Sequence, residues 1–396
     1  MFNDIINSKN RRRLRLGGNM KIGTISVNIN TPDYNYGALL HSWAFIKYMQ
    51  KLDFVQSAEV IDYLTPYLET YKEDFHIIEK LKEKNYYEAR MNFRKYRWYK
   101  WRKKKFKNFQ KKYMTISKKK YNQKKLNDSV LPYDTVICES DVIWSPKLTK
   151  GEFDPSFFLS LDSMKSLKKI AYSPSMGDGD LEENYQKEFK KYLKNIDYIS
   201  CRESYQVDII KQYTNKEVTK VLDPVFLIDK KDYTEIIGPR LVEQKYLLLY
   251  LPVNNNKKLR DAAREYALKN NLFMIEISTK LEKKKTNNLW RIPDAGIEEF
   301  LSGIKNAEVI FTNSLHAVCF SIIFKKQFYA FSRKYAGKVR DICKIFDLSN
   351  RYFDDDNFIE QKKINYNEVY KKYKKMQKES QDWIINALTE DNKQGE

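Results

Sequence analysis

Histidine and cysteine are scarce in this sequence: three and four in 396 residues. Cys138, Cys201, Cys319 and Cys343 lie far apart, with no Cys-x-x-Cys pairing, so a zinc cage is poorly supported and no metal is expected. Isolated cysteines beside apolar segments behave as small hydrophobes, and a reducing cytoplasm is the simple expectation. Glycine and proline are also few, at 12 and 10, which argues against a loop-rich or fibrous architecture. No apolar run reaches membrane-spanning length, and nothing resembles a secretory signal. What remains is a globular chain, 42% hydrophobic and 14% aromatic, long enough for two domains.

Positive charge is plentiful but local. The net charge is +21, yet residues 90–125 alone hold 17 Lys and Arg with no Asp or Glu. Residues 1–19 add five basic residues against one acidic, as a basic extension, and the rest of the chain is neutral overall. Residues 70–121 read as helical, with Phe106, Phe109, Tyr113 and Ile116 on one face among lysines. Two readings follow: a helix that packs its aromatics inward beneath solvated lysines, or a surface that touches anionic lipid or polymer. Aromatics interleave with the basic residues, but no nucleic-acid motif accompanies them, so no nucleic acid is expected.

Taken in order, the chain alternates strands and helices. Lys21–Asn28 reads as a strand, followed by a turn-rich loop through Asn35-Tyr36-Gly37, a helix over 38–51 and a strand over 58–63. The loop lacks the Gly-x-Gly-x-x-Gly pattern, so dinucleotide binding is not indicated; Asn35, Tyr36 and Gly37 can still line a cleft. Further strands end at Cys138, before Ser140 and Asp141, and at Ser173. Another leads to Arg202 and Glu203, whose local alternative is a surface ion pair between the two. Asp178-Gly179-Asp180 spells an Asp-x-Asp pair in a glycine-rich turn and reads as a solvated loop. After Pro239 the alternation restarts. The expected organisation is a Rossmann-like domain over 20–235 with a basic helical insertion at 70–130, a second over 240–350, and a helical segment at 351–396.

The stretch that organises the rest is Val309–Phe324. A short apolar run ends in Thr312-Asn313-Ser314, residues suited to capping a helix, and an apolar helix follows. His316 therefore sits where a strand ends and a helix begins, beside N–H groups free to meet an anion. By position alone it is either a hydrogen-bonded core residue or a neutral imidazole able to accept a proton.

These junctions, in order, resemble the polysaccharide pyruvyl transferase family. The matching pieces are Asn35-Tyr36-Gly37-Ala38, Ser140-Asp141 with Ile143-Trp144, Tyr172-Ser173 ahead of Gly177, and Arg202-Glu203. They continue with Val221-Leu222-Asp223-Pro224, Asp294-Ala295-Gly296 with Glu298-Glu299-Phe300, and Ser314-Leu315-His316 running into Phe320-Ser321. The match covers about Lys21 to Phe353. Four positions depart from the family pattern: Glu139 and Val142 stand where Gly and Gln are usual, and Leu315 and Ala317 where Phe and Gly are typical.

The resemblance implies an α/β fold of two Rossmann-like domains facing a cleft, similar to the glycosyltransferase type B architecture. It implies an enzyme that transfers pyruvate from phosphoenolpyruvate to a hydroxyl pair of a sugar, forming a ketal on a surface polysaccharide or its lipid-linked precursor. His316 would be catalytic. Arg202, Ser314 and a basic residue among Arg333, Lys334 and Lys338 would bind the donor's phosphate or carboxylate, with no cofactor. Asn35, Tyr36, Gly37, Ser140, Asp141, Trp144 and Ser173 would line the cleft and the acceptor side. The expected location is cytoplasmic, with a peripheral position on the inner face of the membrane through Arg90–Lys125. Two other readings stay open: a glycosyltransferase using a nucleotide sugar, and a non-catalytic basic protein docked on membrane or anionic polymer.

Overall fold

The computed structural model describes residues 19–31, 35–69, 74–177, 179–252, 257–278, 281, 283–331, 337–354 and 358–390. Two seven-stranded sheets organise them. The first contains β1 (Met20–Ile25), β2 (Val55–Tyr63), β3 (Ile116–Tyr121), β4 (Thr135–Glu139), β5 (Lys168–Tyr172), β6 (Tyr198–Cys201) and β7 (Val218–Lys220). All are parallel, in the order β3-β2-β1-β4-β5-β6-β7. The second contains β8 (Tyr246–Tyr250), β9 (Phe273–Ile277), β10 (Lys284–Lys285), β11 (Leu289–Ile292), β12 (Val309–Thr312), β13 (Gln327–Phe331) and β14 (Tyr352–Phe353). Its order is β10-β11-β9-β8-β12-β13-β14, parallel except for the short β10.

Both orders are doubly wound, so the fold is the α/β pair of Rossmann-like sheets that the alternation implied. Every residue of β4, β8 and β12 is buried, as strands covered by helices on both faces require. The winding direction reverses between β1 and β4, and again between β8 and β12. Crevices at such reversals, outside the carboxyl ends of the strands, are where ligands bind in these folds.

One expectation is corrected. Residues 70–121 are not helical throughout: helices cover Ile77–Lys82 and Tyr86–Tyr113, and Ile116–Tyr121 is a strand on the sheet edge. Ile116 therefore does not extend the helical face. In β3, Ser117 and Tyr121 face inward while Lys118–Lys120 are exposed, and lysines on an edge strand discourage pairing with another chain. That lysine run hid the strand's alternation.

The Tyr86–Tyr113 helix ties the halves together. Its Phe106 and Phe109 are buried in an apolar cluster that runs from the first sheet's helices to those of the second. Buried Arg102 donates to the carbonyls of Ser278 and Pro293, and Lys105 pairs with Asp294 at 3.3 Å and with Glu299. The inward-packing reading of the aromatics thus holds for this face.

The last helix, Tyr366–Thr389, spans both halves. Tyr366 and Tyr370 donate to the carbonyls of Ser321 and Ile323. Further along, Gln377 donates to Phe226, and Ser380 accepts from the Leu222 amide. No helix among the described residues is long and apolar enough to cross a membrane.

Candidate active site

The carboxyl ends of β1, β4, β5, β6 and β12 supply the candidate residues. After β1, Asn35 caps the Tyr36–Met49 helix, its side chain accepting from the Gly37 amide at 3.0 Å. After β4, Ser140 and Asp141 both take left-handed backbone (φ 51° and 54°), and Ser173 after β5 does the same (φ 51°). Such conformations cost a non-glycine residue of order 1–3 kcal/mol and persist only where surroundings over-determine them. Here Ser140 N–H donates to Tyr172, Ser175 N–H to the Asp141 carbonyl, and Ser173 N–H to Ser200 Oγ at 3.0 Å. β6 delivers Arg202 and Glu203; β12 delivers His316 at the start of the Leu315–Ile323 helix.

Asp223 joins these pieces. It caps the 3-10 turn Pro224–Phe226 by accepting from the Val225 amide through Oδ1. Its other oxygen, Oδ2, accepts from Ser140 Oγ at 3.1 Å and Arg202 Nη1 at 3.2 Å, and lies 3.5 Å from His316 Nε2, which has no hydrogen-bond partner among the described residues. Burial opposes the charge of Asp223, but His316, Arg202 and His41 outweigh it and hold the carboxyl well below the usual range. Arg202 is also buried. Desolvation works against its cation, while Glu203 at 2.8 Å, Asp223 and Asp141 keep it charged. Its Nη2 has no hydrogen-bond partner among the described residues.

A second buried pair adjoins the first. His41, in the Tyr36–Met49 helix, meets Glu139 at the end of β4 with Nδ1 at 2.7 Å from Oε2, and Ser42 donates to the other oxygen. Burial disfavours protonated His41, but Glu139, Asp141 and Asp223 outweigh it and raise its pKa. The rings of His41 and His316 lie nearly parallel, with centroids 6.1 Å apart. The unusual Glu139 of the sequence therefore brings its own partners. Gly37 packs against the face of His316: a Cβ there would overlap the imidazole.

The other candidate residues divide. Asp141 belongs to the site: burial raises its pKa, but His41, Lys338, Arg202 and His316 together lower it, so Lys338 acts on the same cleft from the second half. Ser173 is buried, with an Oγ that has no partner among the described residues. Ser314 caps the His316 helix, accepting from the Ala317 amide at 3.4 Å.

Two aromatics expected at the cleft lie elsewhere. Trp144 is fully buried in the first half's own core, stacked on Phe158 and donating to the Phe157 carbonyl. Tyr36 stacks on Phe300 at 4.5 Å and donates to the Ala295 carbonyl; burial pushes its hydroxyl up to about 12. Both are large apolar surfaces whose burial outweighs display in a polar cleft. Lys334, Arg333 and Asp178 lie outside the described residues, as do residues 1–18. The residues missed from sequence were Asp223, His41, Glu139 and Glu203 as site members. Asp223 carried a signal as an aspartate before proline at a strand end, Glu203 as the neighbour of Arg202 and Glu139 as a departure from the family pattern; His41 carried none.

The fold and site thus define a two-sheet α/β protein whose strand ends gather a guanidinium and two imidazoles around buried carboxylates. The chain belongs to the polysaccharide pyruvyl transferase family, whose model matches residues 35–335. No curated protein matches it. Among solved structures it is similar to UDP-GlcNAc 2-epimerase from Methanocaldococcus jannaschii, with 12% identity, a TM-score of 0.47, and coverage of 89% of this chain and 91% of that one. It is also similar to a putative UDP-N-acetylglucosamine 2-epimerase from Listeria monocytogenes (8% identity, TM-score 0.48, 92% and 90% covered). A third is Acinetobacter baumannii MurG (10%, 0.39, 93% and 94%).

Proposed function

We propose that this transferase moves pyruvate from phosphoenolpyruvate to two hydroxyls of one sugar, forming a cyclic ketal on a surface glycan or its lipid-linked precursor. The observation that carries the reading is the meeting of Arg202 and His316, from opposite halves, on the single carboxylate of Asp223.

The donor carries a phosphate and a carboxylate and calls for convergent cations. Arg202 through Nη2, Lys338 and the first amides of the Leu315–Ile323 helix are the groups we assign to it. In the reaction a proton adds to the methylene carbon, a sugar hydroxyl bonds to the adjacent carbon and loses its proton, and phosphate departs with the C–O electron pair. The second hydroxyl then bonds to the same carbon and gives up its proton to the released phosphate, closing the ring. His316 is the group we assign to proton transfer, with the Asp223 carboxylate 3.5 Å from its Nε2 and Gly37 leaving room for the ring.

The test is phosphate release by wild type and His316→Ala with phosphoenolpyruvate across a glycan panel. Wild type should release phosphate with at least one acceptor, and His316→Ala should be slower by about 10²–10⁴-fold while still binding the donor. Absence of both donor binding and phosphate release with every glycan would overturn the proposal.

A further inference from the structure

Of the nine exposed large apolar side chains among the described residues, six sit on one helical hairpin: Ile78, Leu81, Tyr86, Tyr87, Phe93 and Trp101. From Arg90 on, past Glu79, Glu83 and Glu88, the hairpin's second helix opens the stretch that holds 17 basic residues and no acidic one. We infer that this surface seats the protein on an anionic lipid bilayer. The inference stands apart from the reaction, because vesicle binding is read without donor or acceptor.

Spacing shows how the face is built. Tyr86, Arg90, Phe93, Arg97, Trp101 and Lys104 follow one another at intervals of three or four and are all exposed, so they form one ridge of the helix, about 27 Å long. The opposite side, through Ala89, Arg102, Phe106 and Phe109, is buried. Ring and cation alternate along the ridge, and Arg97 lies over the Trp101 ring at 5.3 Å.

Its charge is uncompensated. Inward-facing Lys105 pairs with Asp294 and Glu299, whereas Arg90, Arg97 and Lys104 have no carboxylate partner among the described residues. Beside the ridge lies a cavity of about 270 Å³, lined by Met91, Arg94, Trp98 and Trp101 of the helix and by Leu281 and Lys283 of the second half. Its apolar walls and cationic rim suit a phosphate headgroup with the start of its chains.

A membrane fits this combination better than a nucleic acid. Basic residues near an anionic bilayer are attracted to it, and Trp and Tyr rings settle at headgroup level. Exposed Ile78 and Leu81 gain from contact with acyl chains, while neither offers a nucleic acid a stacking face or a charge.

The experiment is co-sedimentation of the full chain with vesicles of phosphatidylcholine alone, or mixed with an equal part of phosphatidylglycerol. Wild type should bind the mixed vesicles and not the neutral ones, and binding should weaken as salt rises. Phe93→Ser with Trp101→Ser, and separately Arg90→Gln with Arg97→Gln and Lys104→Gln, should each weaken binding about tenfold or more. Both sets are exposed, so thermal melts should match wild type. Undiminished, wild-type binding by both variant sets, or no binding of wild type to anionic vesicles at low salt, overturns the inference. So does tighter binding to single-stranded DNA that only the charge variants reduce.

Discussion

Arg202 and His316 are 114 positions apart in sequence and arrive from different sheets, yet both rest on one atom, Asp223 Oδ2, at 3.2 and 3.5 Å. One buried carboxylate therefore sets the spacing between a guanidinium and an imidazole across the gap between the halves.

Asp223→Asn should be severe for that reason. It leaves Arg202 buried with Glu203 as its remaining close anion, and breaking a buried ion pair costs about 3–5 kcal/mol. A melt of the variant should show the loss directly. The pH dependence has a definite sign. The native carboxyl titrates below its unfolded value of about 3.9, so its stabilising effect is complete above that pH and is lost as pH falls toward the native value. The gap between wild-type and variant melting temperatures, compared among buffers acidic enough to keep the histidines charged, should narrow as pH falls below about 4.

Gly37→Ala probes a different contact. The added methyl overlaps the His316 ring, so ring or helix must move. Overpacking of this kind costs about 1–3 kcal/mol, a tolerable loss for the fold. Activity in the phosphate-release assay should fall about a hundredfold, since small misplacements of reacting groups cost that much. Near wild-type turnover would show that the ring's position is not critical.

His41 and Glu139 should behave as a unit. His41→Ala strands a buried carboxylate and should destabilise by about 3–5 kcal/mol; adding Glu139→Gln should recover part of it, with a coupling energy of about 0.5–3 kcal/mol. The raised pKa of His41 means that its contribution is complete below the unfolded value of about 6.5 and is lost as pH rises through the native one. Wild type should therefore lose more stability between pH 6 and alkaline buffer than His41→Gln does, as read by paired denaturant titrations. Strict additivity of the two single substitutions would dissolve the pair.

Much of this architecture was legible in sequence because strands buried on both faces write continuous apolar runs, as in Tyr246–Tyr250 and Val309–Thr312. His316 was legible because a cap-like Thr-Asn-Ser separated its strand from its helix. β3 was not, since an edge strand with three exposed lysines has too little apolar alternation to be told from a basic helix. His41 was hidden inside an almost wholly buried helix, and its partner Glu139 lies 98 positions away. No local pattern encodes such a pairing. Tyr36 and Trp144 misled in the opposite way: their place beside strand ends suggested a cleft, but ring area drew them into the packed interior.

The Tyr366–Thr389 helix has a mechanical consequence. Its first turns are bonded to the carbonyls of Ser321 and Ile323; its later ones donate to the Phe226 carbonyl, accept from the Leu222 amide and, at the Leu388 carbonyl, accept from Lys168 of β5. Swinging the two lobes apart would tear one end of this brace from its seat. A jaw-like opening of the crevice therefore carries the cost of those hydrogen bonds, about 0.5–1.5 kcal/mol each.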